Sequence, residues 1–283
     1  MKKIVGVLIG FLFLAGCGGE DDFTFEEQLI IDIAKIDEYL ASNNLDAEIH
    51  ESGIRFNVTE EGDGRTPGLG NVAVLIYDFK VLGRDEVVGE SVYGDSFTLN
   101  EVLMRALFFM LEEMKVGEKR MVYAPSGYCF GRLSNALIPA NSSLVFNLEL
   151  VDVATDDIEQ EIVDLAIIDR FLRGNDIQAR VHESGIRYTV QAEGMGESPT
   201  IDDRVVVVYE GRFLNGNVFD QSEDNTSFDL ADLVEAWQIM IPTMKPGGKI
   251  TIYAPSGLCY GRQGSASIPG NTNLIFDIEL ISN

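Results

Sequence analysis

The feature that most constrains this chain is a long internal repeat. The loop-like segment YAPSGLCYGRQGSASIPG at 253–270 matches YAPSGYCFGRLSNALIPA at 123–140. Two further pairs match at nearly the same spacing, IHESGIRF at 49–56 with VHESGIRY at 181–188, and LVFNLEL at 144–150 with LIFDIEL at 274–280. A period of about 130 residues is far longer than that of a solenoid repeat, so each copy is expected to be a complete domain.

Length and charge narrow the class of protein. The chain has 283 residues, of which 46% are hydrophobic, and this suits two globular domains of ordinary size. Its formal net charge is −25, with 46 acidic residues against 21 basic ones. Such a surface repels a polyphosphate backbone, so we expect no nucleic-acid partner. The sequence leaves the oligomeric state open.

The first sixteen residues have the outline of a signal peptide. Lys2 and Lys3 precede an apolar run at 4–14 that is too short to span a bilayer. The run ends in Leu-Ala-Gly before Cys17, which resembles the lipobox of bacterial lipoproteins. This resemblance implies lipid on Cys17 and anchoring to a membrane. Ordinary secretory cleavage, with Cys17 incidental, is the alternative.

Residues 17–25 are predicted to form a short acidic tether. Their composition resembles the acidic signals that send some lipoproteins to the outer face of the outer membrane, although a plain solvated linker also fits. The expected location is therefore the bacterial cell envelope, with lipid anchoring to the outer membrane. The choice between a periplasmic and a surface-exposed position stays open.

Each copy shows the same order of predicted elements, and the joint between them falls near 154–156. We therefore expect one domain at 26–155 and a second at 156–283. In the first copy the expected elements are a helix at 26–40, a strand at 48–58, a turn-rich connection at 62–70, a strand at 72–81, a helix within 97–114, and strands at 118–123 and 143–153. The second copy repeats this order from a helix at 157–172.

Both leading helices are predicted to be amphipathic and packed against their domains. The apolar stripe of the first consists of Leu29, Ile30, Ile33, Ile36, Tyr39 and Leu40, and that of the second consists of Ile158, Ile162, Leu165, Ile168, Phe171 and Leu172. Dimer contacts through these helices are the alternative to packing.

Other reactive residue types support no chemistry of their own. His50 and His182 are the only histidines and occupy equivalent positions, so no segment offers clustered zinc ligands, and no metal is expected. Ala-Pro-Ser-Gly lacks the Gly-x-Ser-x-Gly pattern of a serine hydrolase. Cys129 and Cys259 are interpreted as buried free thiols, with an intermolecular bridge as the alternative.

The second copy carries aromatic and apolar residues in a distinctive order. It contains VVVVYEGRFLNGNVFD at 205–220, SFDL at 227–230, then Val234 and Trp237, and LCYGRQGSASIPGNTNLIFDIEL at 258–280. These residues resemble the FKBP-type peptidyl-prolyl isomerases over nearly all of 185–283. The resemblance implies an α+β fold of two tandem FKBP-like domains, each a twisted antiparallel β-sheet wrapped around a short helix and preceded by an amphipathic helix.

The same resemblance implies a site in the second copy. Trp237 would be the floor under a prolyl ring, and Asp220 and Tyr260 would supply polar contacts. Phe219, Tyr209, Phe228, Val234 and Phe276 would form the walls, with Ile268 presenting apolar surface and its backbone N–H at the rim. Most of these would also suit the core of any small β-rich domain. The partners implied are proline-containing polypeptide segments and an FK506-like ligand, with no cofactor.

The first copy departs from the family pattern. In the aligned copies Leu107 occupies the position of Trp237, and Phe130 that of Tyr260. Val88-Gly89 align with Phe219-Asp220, and Phe79 aligns with Gly211. Loss of floor, wall and both polar contacts predicts a domain that keeps the fold but has little isomerase activity. Two functions follow as hypotheses. One is a prolyl isomerase and folding factor acting through the second domain, and the other is a non-catalytic module that holds an envelope or surface protein.

Overall fold

The computed structural model of the protein describes residues 23–99 and 104–283. They form two compact units that divide between Thr155 and Asp156. The predicted leader at 1–16, Cys17 and the tether as far as residue 22 lie outside the described residues.

The first unit contains two helices and six strands among its described residues. The helices are α1 (Phe25–Ser42) and α2 (Arg105–Leu111). The strands are β1 (Glu48–Ile49), β2 (Arg55–Glu60), β3 (Val72–Val81), β4 (Val87–Thr98), β5 (Lys119–Ala124) and β6 (Leu144–Ala154). All neighbouring strands are antiparallel, in the order β1-β2-β5-β6-β3-β4.

The second unit repeats this plan with its fourth strand broken in two. Its helices are α3 (Asp157–Gly174) and α4 (Glu235–Met240). Its strands are β7 (Arg180–Val181), β8 (Arg187–Glu193), β9 (Arg204–Phe213), β10 (Val218–Gln221), β11 (Thr226–Asp229), β12 (Gly248–Ala254) and β13 (Leu274–Ser282). The antiparallel order is β10-β9-β13-β12-β8-β7, and β11 also pairs with β9. The predicted α+β fold of two tandem domains is confirmed.

The leading helices begin where the sequence provides caps. Thr24 accepts a hydrogen bond from the Glu27 N–H, and Glu27 bonds back to the Thr24 N–H, which completes a capping box before α1. Asp156 caps α3 by accepting from the Glu159 N–H over 2.9 Å. Each such cap stabilises a helix by about 1 kcal/mol, so the helix starts are encoded locally.

The predicted apolar stripes are partly wrong. Ile30, Ile158 and Ile162 lie on the outside of their helices and are between 62% and 74% exposed. In α3 the buried places are taken instead by Val163 and Ile167, which continue into Ile168, Phe171 and Leu172. Apolar residues occur on two sides of this helix, and helical periodicity alone does not say which side meets the sheet.

One strand prediction needs correction, and one strand has no counterpart among the predicted elements. The predicted strand at 48–58 is interrupted by a turn, which leaves β1 and β2 as separate strands. The strand β4 was not predicted, because glycine and polar residues interrupt its pattern. It pairs along most of β3, with Val72 opposite Thr98 at one end and Lys80 opposite Val87 at the other. Pairing to a regular neighbour stabilises a sequence of modest strand propensity.

The short helices lie over the sheets and fill the cores. In α4 the buried residues are Ala236, Trp237 and Met240, and in α2 they include Leu107 and Met110. Leu107 and Met110 belong to a core cluster in which β3 and β6 supply Leu75 and Phe146. Within the described ranges no helix is both long enough and apolar enough to cross a membrane.

Candidate functional site

The centre of the candidate site is Trp237, which is 4% exposed. Three aromatic rings meet it nearly edge to face. The centroids of Tyr209, Phe276 and Phe228 lie 5.1, 5.6 and 6.3 Å from that of Trp237, at interplanar angles of 82°, 87° and 90°. Such pairs each add about 0.5–1.5 kcal/mol beyond their burial, so the rings hold one another in place. The predicted floor and three of its predicted neighbours are therefore together.

Phe219 extends this aromatic cluster along one side. Its ring lies 5.8 Å from that of Phe276 at 89°, and 5.2 Å from that of Phe213. A register shift in β10 between Val218 and Asp220 sets the residue at a bulge. Gly211 on β9 makes room, because a Cβ there would lie 2.6 Å from Cζ of Phe219. The ring thus rests directly on the backbone of the neighbouring strand.

The polar part of the site is a tyrosine and carboxylate pair. The Tyr209 hydroxyl donates to Oδ2 of Asp220 over 2.7 Å, and Asp220 is exposed. Burial, and then the Asp220 bond, raises the pKa of Tyr209 well above its usual range, so its phenol stays protonated. Burial also raises the pKa of Tyr260, with smaller contributions from Cys259 and Asp220. Tyr209 and Asp220 are thus bonded directly, and Tyr260 lies close enough for the Asp220 charge to contribute to its raised pKa.

The two remaining predicted residues lie at the start of α4 and within the 256–273 loop. Val234 is half-buried and is the residue that precedes α4. Ile268 is 5% exposed. Its backbone N–H, the donor predicted at the rim, donates to the Ser265 carbonyl over 2.9 Å and is therefore paired within the loop. The Ser265 N–H donates in return to the Ile268 carbonyl over 2.8 Å, so the two residues form a short β-bridge.

The indole N–H of Trp237 is a buried polar group of the site. Nε1 of Trp237 has no hydrogen-bond partner among the described residues. Leaving such a donor unpaired costs about 1–3 kcal/mol, which packing around the ring must offset.

The histidines and cysteines have structural roles. His182 shares a hydrogen bond of 2.9 Å between Nδ1 and the Ser184 hydroxyl, and His50 repeats this with Ser52. Cys129 and Cys259 are free thiols, and burial is the main cause that raises the pKa of each. In the part of the chain that the structure describes, no three His, Cys, Asp or Glu side chains form a group able to hold a metal ion.

The first domain keeps an aromatic wall by a different route. Phe79 on β3 replaces Gly211, and Gly89 on β4 takes the place of Asp220, because Phe79 pairs with Gly89 as Gly211 pairs with Asp220. A Cβ on Gly89 would lie 2.4 Å from Cε1 of Phe79, so the ring now crosses between the strands in the opposite direction. Its centroid is 5.3 Å from that of Phe146. The predicted loss of the wall is therefore wrong.

A carboxylate is likewise restored from another position. The Tyr77 hydroxyl donates to Oδ2 of Asp95 over 3.0 Å, which replaces the bond that Tyr209 makes in the second domain. Burial raises the pKa of both Tyr77 and Asp95. The Tyr77 and Asp95 pair is desolvated and Phe79 is only 7% exposed, whereas Asp220 is exposed. The site of the first domain is therefore more enclosed than that of the second. Leu107 still leaves it without the aromatic floor.

Sequence reasoning missed two parts of the arrangement. Phe213 supports Phe219, and its place at the end of β9 gave no separate signal. Asp164 on α3 accepts hydrogen bonds from Ser256 at the base of the loop. The repeat did contain a signal for this pair, because Asp32 and Ser126 occupy the equivalent positions in the first copy.

Comparison with known proteins agrees with this architecture. The sequence profile of the family described as FKBP-type peptidyl-prolyl cis-trans isomerase matches residues 65–151 and 196–281. The two matches cover more than half of the chain and fall one in each domain. This chain belongs to the FKBP-type peptidyl-prolyl cis-trans isomerase family.

Its relatives include bacterial proteins with this family description. The chain is 44% identical over 103 residues to the peptidyl-prolyl cis-trans isomerase Mip of Coxiella burnetii, which covers 35% of this chain and 45% of that protein. It is 37% identical over 105 residues to FkpA of Escherichia coli strain K12, and this match covers 36% of this chain and 39% of FkpA. The chain thus spans less than half the length of these relatives.

Solved structures with this likeness include two bacterial isomerases. A peptidyl-prolyl cis-trans isomerase from Pseudomonas syringae pv. tomato is 31% identical, with a TM-score of 0.39, over 43% of this chain and 93% of its own. FkpA from Escherichia coli is 28% identical in sequence, and its structure matches with a TM-score of 0.37 over 47% of this chain and 74% of its own.

Proposed function

We propose that this chain is a peptidyl-prolyl cis-trans isomerase and protein-folding factor of the bacterial cell envelope, with its active site in the second domain. The observation that carries the proposal is the aromatic floor and wall around Trp237, with the Tyr209 and Asp220 pair beside them. Family membership supports the same reaction class.

The reaction needs what such a site offers. Rotation about an X-Pro bond crosses a barrier of roughly 18–20 kcal/mol, because the planar amide loses its resonance in the twisted form. No covalent bond is broken, so the rotation requires no nucleophile. A cleft that accepts the prolyl ring and removes water from the amide disfavours the planar, more polar form. Hydrogen bonds that form best in the twisted state lower the barrier further.

Each residue has a proposed role in this mechanism. Trp237 supports the prolyl ring. The apolar sides are Phe219, Tyr209, Phe228, Val234, Ile268 and Phe276. Tyr260 donates to the substrate backbone from its protonated hydroxyl, and Asp220 orients Tyr209 and interacts with the twisting amide. The Ile268 N–H would have to exchange its bond to Ser265 before it could serve a substrate.

The first domain, 26–155, is proposed to be a non-catalytic FKBP-like unit. It lacks the tryptophan, and its tyrosine and carboxylate pair is desolvated. The second domain, 156–283, would then perform catalysis. An FK506-like ligand is proposed for the second domain alone.

The test is an X-Pro tetrapeptide isomerisation assay on the full chain and its variants. We expect Trp237→Leu, which copies Leu107, and Asp220→Gly, which copies Gly89, to lower the rate strongly. Tyr77→Phe is the matched control, because it removes only the hydroxyl that bonds to Asp95, and it should leave the rate unchanged. Equal rates for wild type and Trp237→Leu would overturn the placement of the site.

The non-catalytic module remains the second candidate, and its supporting observation is the paired Ile268 N–H. A wild-type chain that binds proline-containing peptide without accelerating its isomerisation would establish this alternative. Retained binding in Trp237→Leu would contradict both candidates, because each places the bound prolyl ring on Trp237.

The proposed location rests on the sequence around Cys17. Lipid on this residue, followed by the acidic tether, would hold both domains at the outer membrane. Labelling cells with radioactive palmitate should mark the wild-type chain and leave Cys17→Ala unlabelled. Label that persists in Cys17→Ala would contradict the assignment.

A further inference from the structure

A buried carboxylate joins the leading helix of the second domain to the loop that carries Tyr260. Asp164 lies in the middle of α3 and is 0% exposed. Its Oδ2 accepts from the N–H and the hydroxyl of Ser256 over 2.8 and 2.6 Å, and its Oδ1 accepts from Nε2 of Gln160 over 2.7 Å. Ser256 is the first residue of the turn that follows β12, so α3 holds the start of the loop.

The far end of the same loop is tied to the same helix residue. Asn273, just before β13, donates from Nδ2 to the backbone carbonyl of Asp164 over 3.3 Å. Its Oδ1 also accepts from the Ser256 N–H over 3.1 Å. Both ends of the 256–273 loop therefore converge on Asp164, and all three residues are at least 95% buried.

The first domain has only one of these two ties. Asp32 accepts from the Ser126 N–H over 2.8 Å and from Gln28 over 2.7 Å, which repeats the helix-to-loop bond. In place of Asn273, however, stands Ser143, whose buried hydroxyl has no partner among the described residues. The second tie thus occurs in the domain with the complete aromatic site and is missing from the domain without it.

The loop held in this way supplies two of the proposed site residues. Tyr260 follows Ser256 by four positions, and Ile268 lies nearer the Asn273 end. We infer that Asp164, together with Asn273, is a positioning residue that sets the 256–273 loop so that Tyr260 meets the substrate. This inference rests on the proposed isomerase function. It gives α3, which precedes the family match at 196–281, a part in catalysis.

The electrostatic setting of Asp164 gives the inference a distinctive signature. Burial raises its pKa to about 6, against the lowering effect of the bonds from Ser256 and Gln160, and Glu161 raises it slightly. The loop faces it with Ser256, Asn273 and the uncharged Cys259 thiol. Protonation removes a charged acceptor that holds Ser256. At the same time it relieves the cost of a buried charge, so folding stability and loop placement should change in opposite directions as pH falls.

The experiment is a pH profile of kcat/KM on the full chain, with an X-Pro tetrapeptide as substrate. For wild type we expect kcat/KM to fall by about tenfold as pH drops through 6. A 1 Å misplacement of a reacting group can lower a rate by roughly a hundredfold, and we expect the loop to shift by less than that. Asp164→Asn should show no step near pH 6. Glu161→Gln keeps the carboxylate and removes a neighbouring charge, so its step should remain but move to lower pH.

Two further variants separate positioning from general stability. Asn273→Ser copies the first domain and should lower kcat/KM at pH 7.5 while circular dichroism shows the chain fully folded. Asp32→Asn makes the matched change in the first domain and should leave kcat/KM and its pH profile unchanged. Emission from Trp237, the only tryptophan, reports whether the floor of the second site stays intact in each variant.

The outcomes distinguish the inference from the function on which it rests. An inactive wild-type chain would overturn the proposed isomerase itself. An active wild type whose pH profile matches that of Asp164→Asn, or an unaffected Asn273→Ser, would overturn the positioning role alone. Activity that rises as pH falls, in parallel with stability, would show Asp164 to be merely structural.

Discussion

Phe79 and Gly89 face each other across two strands of the first domain, and the phenylalanine ring covers the glycine. In the second domain Phe219 covers Gly211, so the ring and the space for it have changed strands. Each arrangement leaves one ring beside the equivalent phenylalanine of the last strand, Phe146 or Phe276. The wall of the site is thus a property of the strand pair rather than of one aligned position.

This close contact makes Gly211→Ala a sensitive change. The new methyl would lie 2.6 Å from Cζ of Phe219, which must move away from the wall. We expect a stability loss of about 1–3 kcal/mol from overpacking, measured by denaturant unfolding, together with slower isomerisation.

Two glycines provide controls for that prediction. Gly257→Ala should be tolerated, because a Cβ there meets nothing within 4 Å. Gly89→Ala should destabilise the first domain through Phe79 and leave isomerisation unaffected. If Gly211→Ala proves as neutral as Gly257→Ala, then the strand does not hold Phe219 as described.

The first domain contains a buried ion pair that the second lacks. Arg120 Nε lies 2.5 Å from Oε1 of Glu118, both side chains are about 5% exposed, and the guanidinium stacks 4.6 Å above Phe56. The equivalent positions in the second domain are Ile250 and Gly248. Arg120→Ile should destabilise the first domain by about 3–5 kcal/mol, because Glu118 is left as an uncompensated buried charge.

The double variant tests this reason directly. Adding Glu118→Gly to Arg120→Ile reproduces the second domain's pair and should recover most of the lost stability in thermal unfolding. A double variant no more stable than Arg120→Ile would show that packing around Arg120, rather than the stranded charge, determines the loss.

Asp164 should make the stability of the second domain depend on pH. Its folded pKa of about 6 exceeds the ordinary value of 3.8 for an aspartate. Its contribution to stability is therefore fully present below about pH 4 and is lost as pH rises through 6. The full loss is of order 3 kcal/mol or less. The difference in unfolding free energy between wild type and Asp164→Asn, measured from pH 4 to 7.5, isolates this contribution, and a flat difference would contradict it.

The phenol of Tyr209 should titrate unusually late. Burial is the main cause of its raised pKa, and the bond and charge of Asp220 add to it. Asp220→Asn should therefore lower the pKa of Tyr209 only in part. Ultraviolet titration of Asp220→Asn, with Tyr209→Phe as the reference that lacks this phenol, measures the change. An unchanged titration would mean that Asp220 does not hold the hydroxyl in solution.

Much of the fold follows from repeated local patterns. Regular apolar periods predict the leading helices and β3 from sequence, and β3 lies at 72–81 as expected. The strand β4 is not predicted from sequence, because glycine and polar residues interrupt its pattern. It forms through pairing with β3. The exposure of Ile158 and Ile162 is not predicted either, because helical periodicity does not identify the face that meets the sheet.

The sequence by itself determined the duplication, the family, and the residues that differ between the copies, because those follow from identity and order along the chain. Tertiary structure alone decided which differences matter. Asp95 bonds to Tyr77 as Asp220 bonds to Tyr209, and the ring of Phe79 takes the place of the Phe219 ring from the opposite strand. Neither Asp95 nor Phe79 is aligned in sequence with the residue whose place it takes. Contacts across a sheet join residues that are distant in the chain, so their equivalence appears only once the strands are paired.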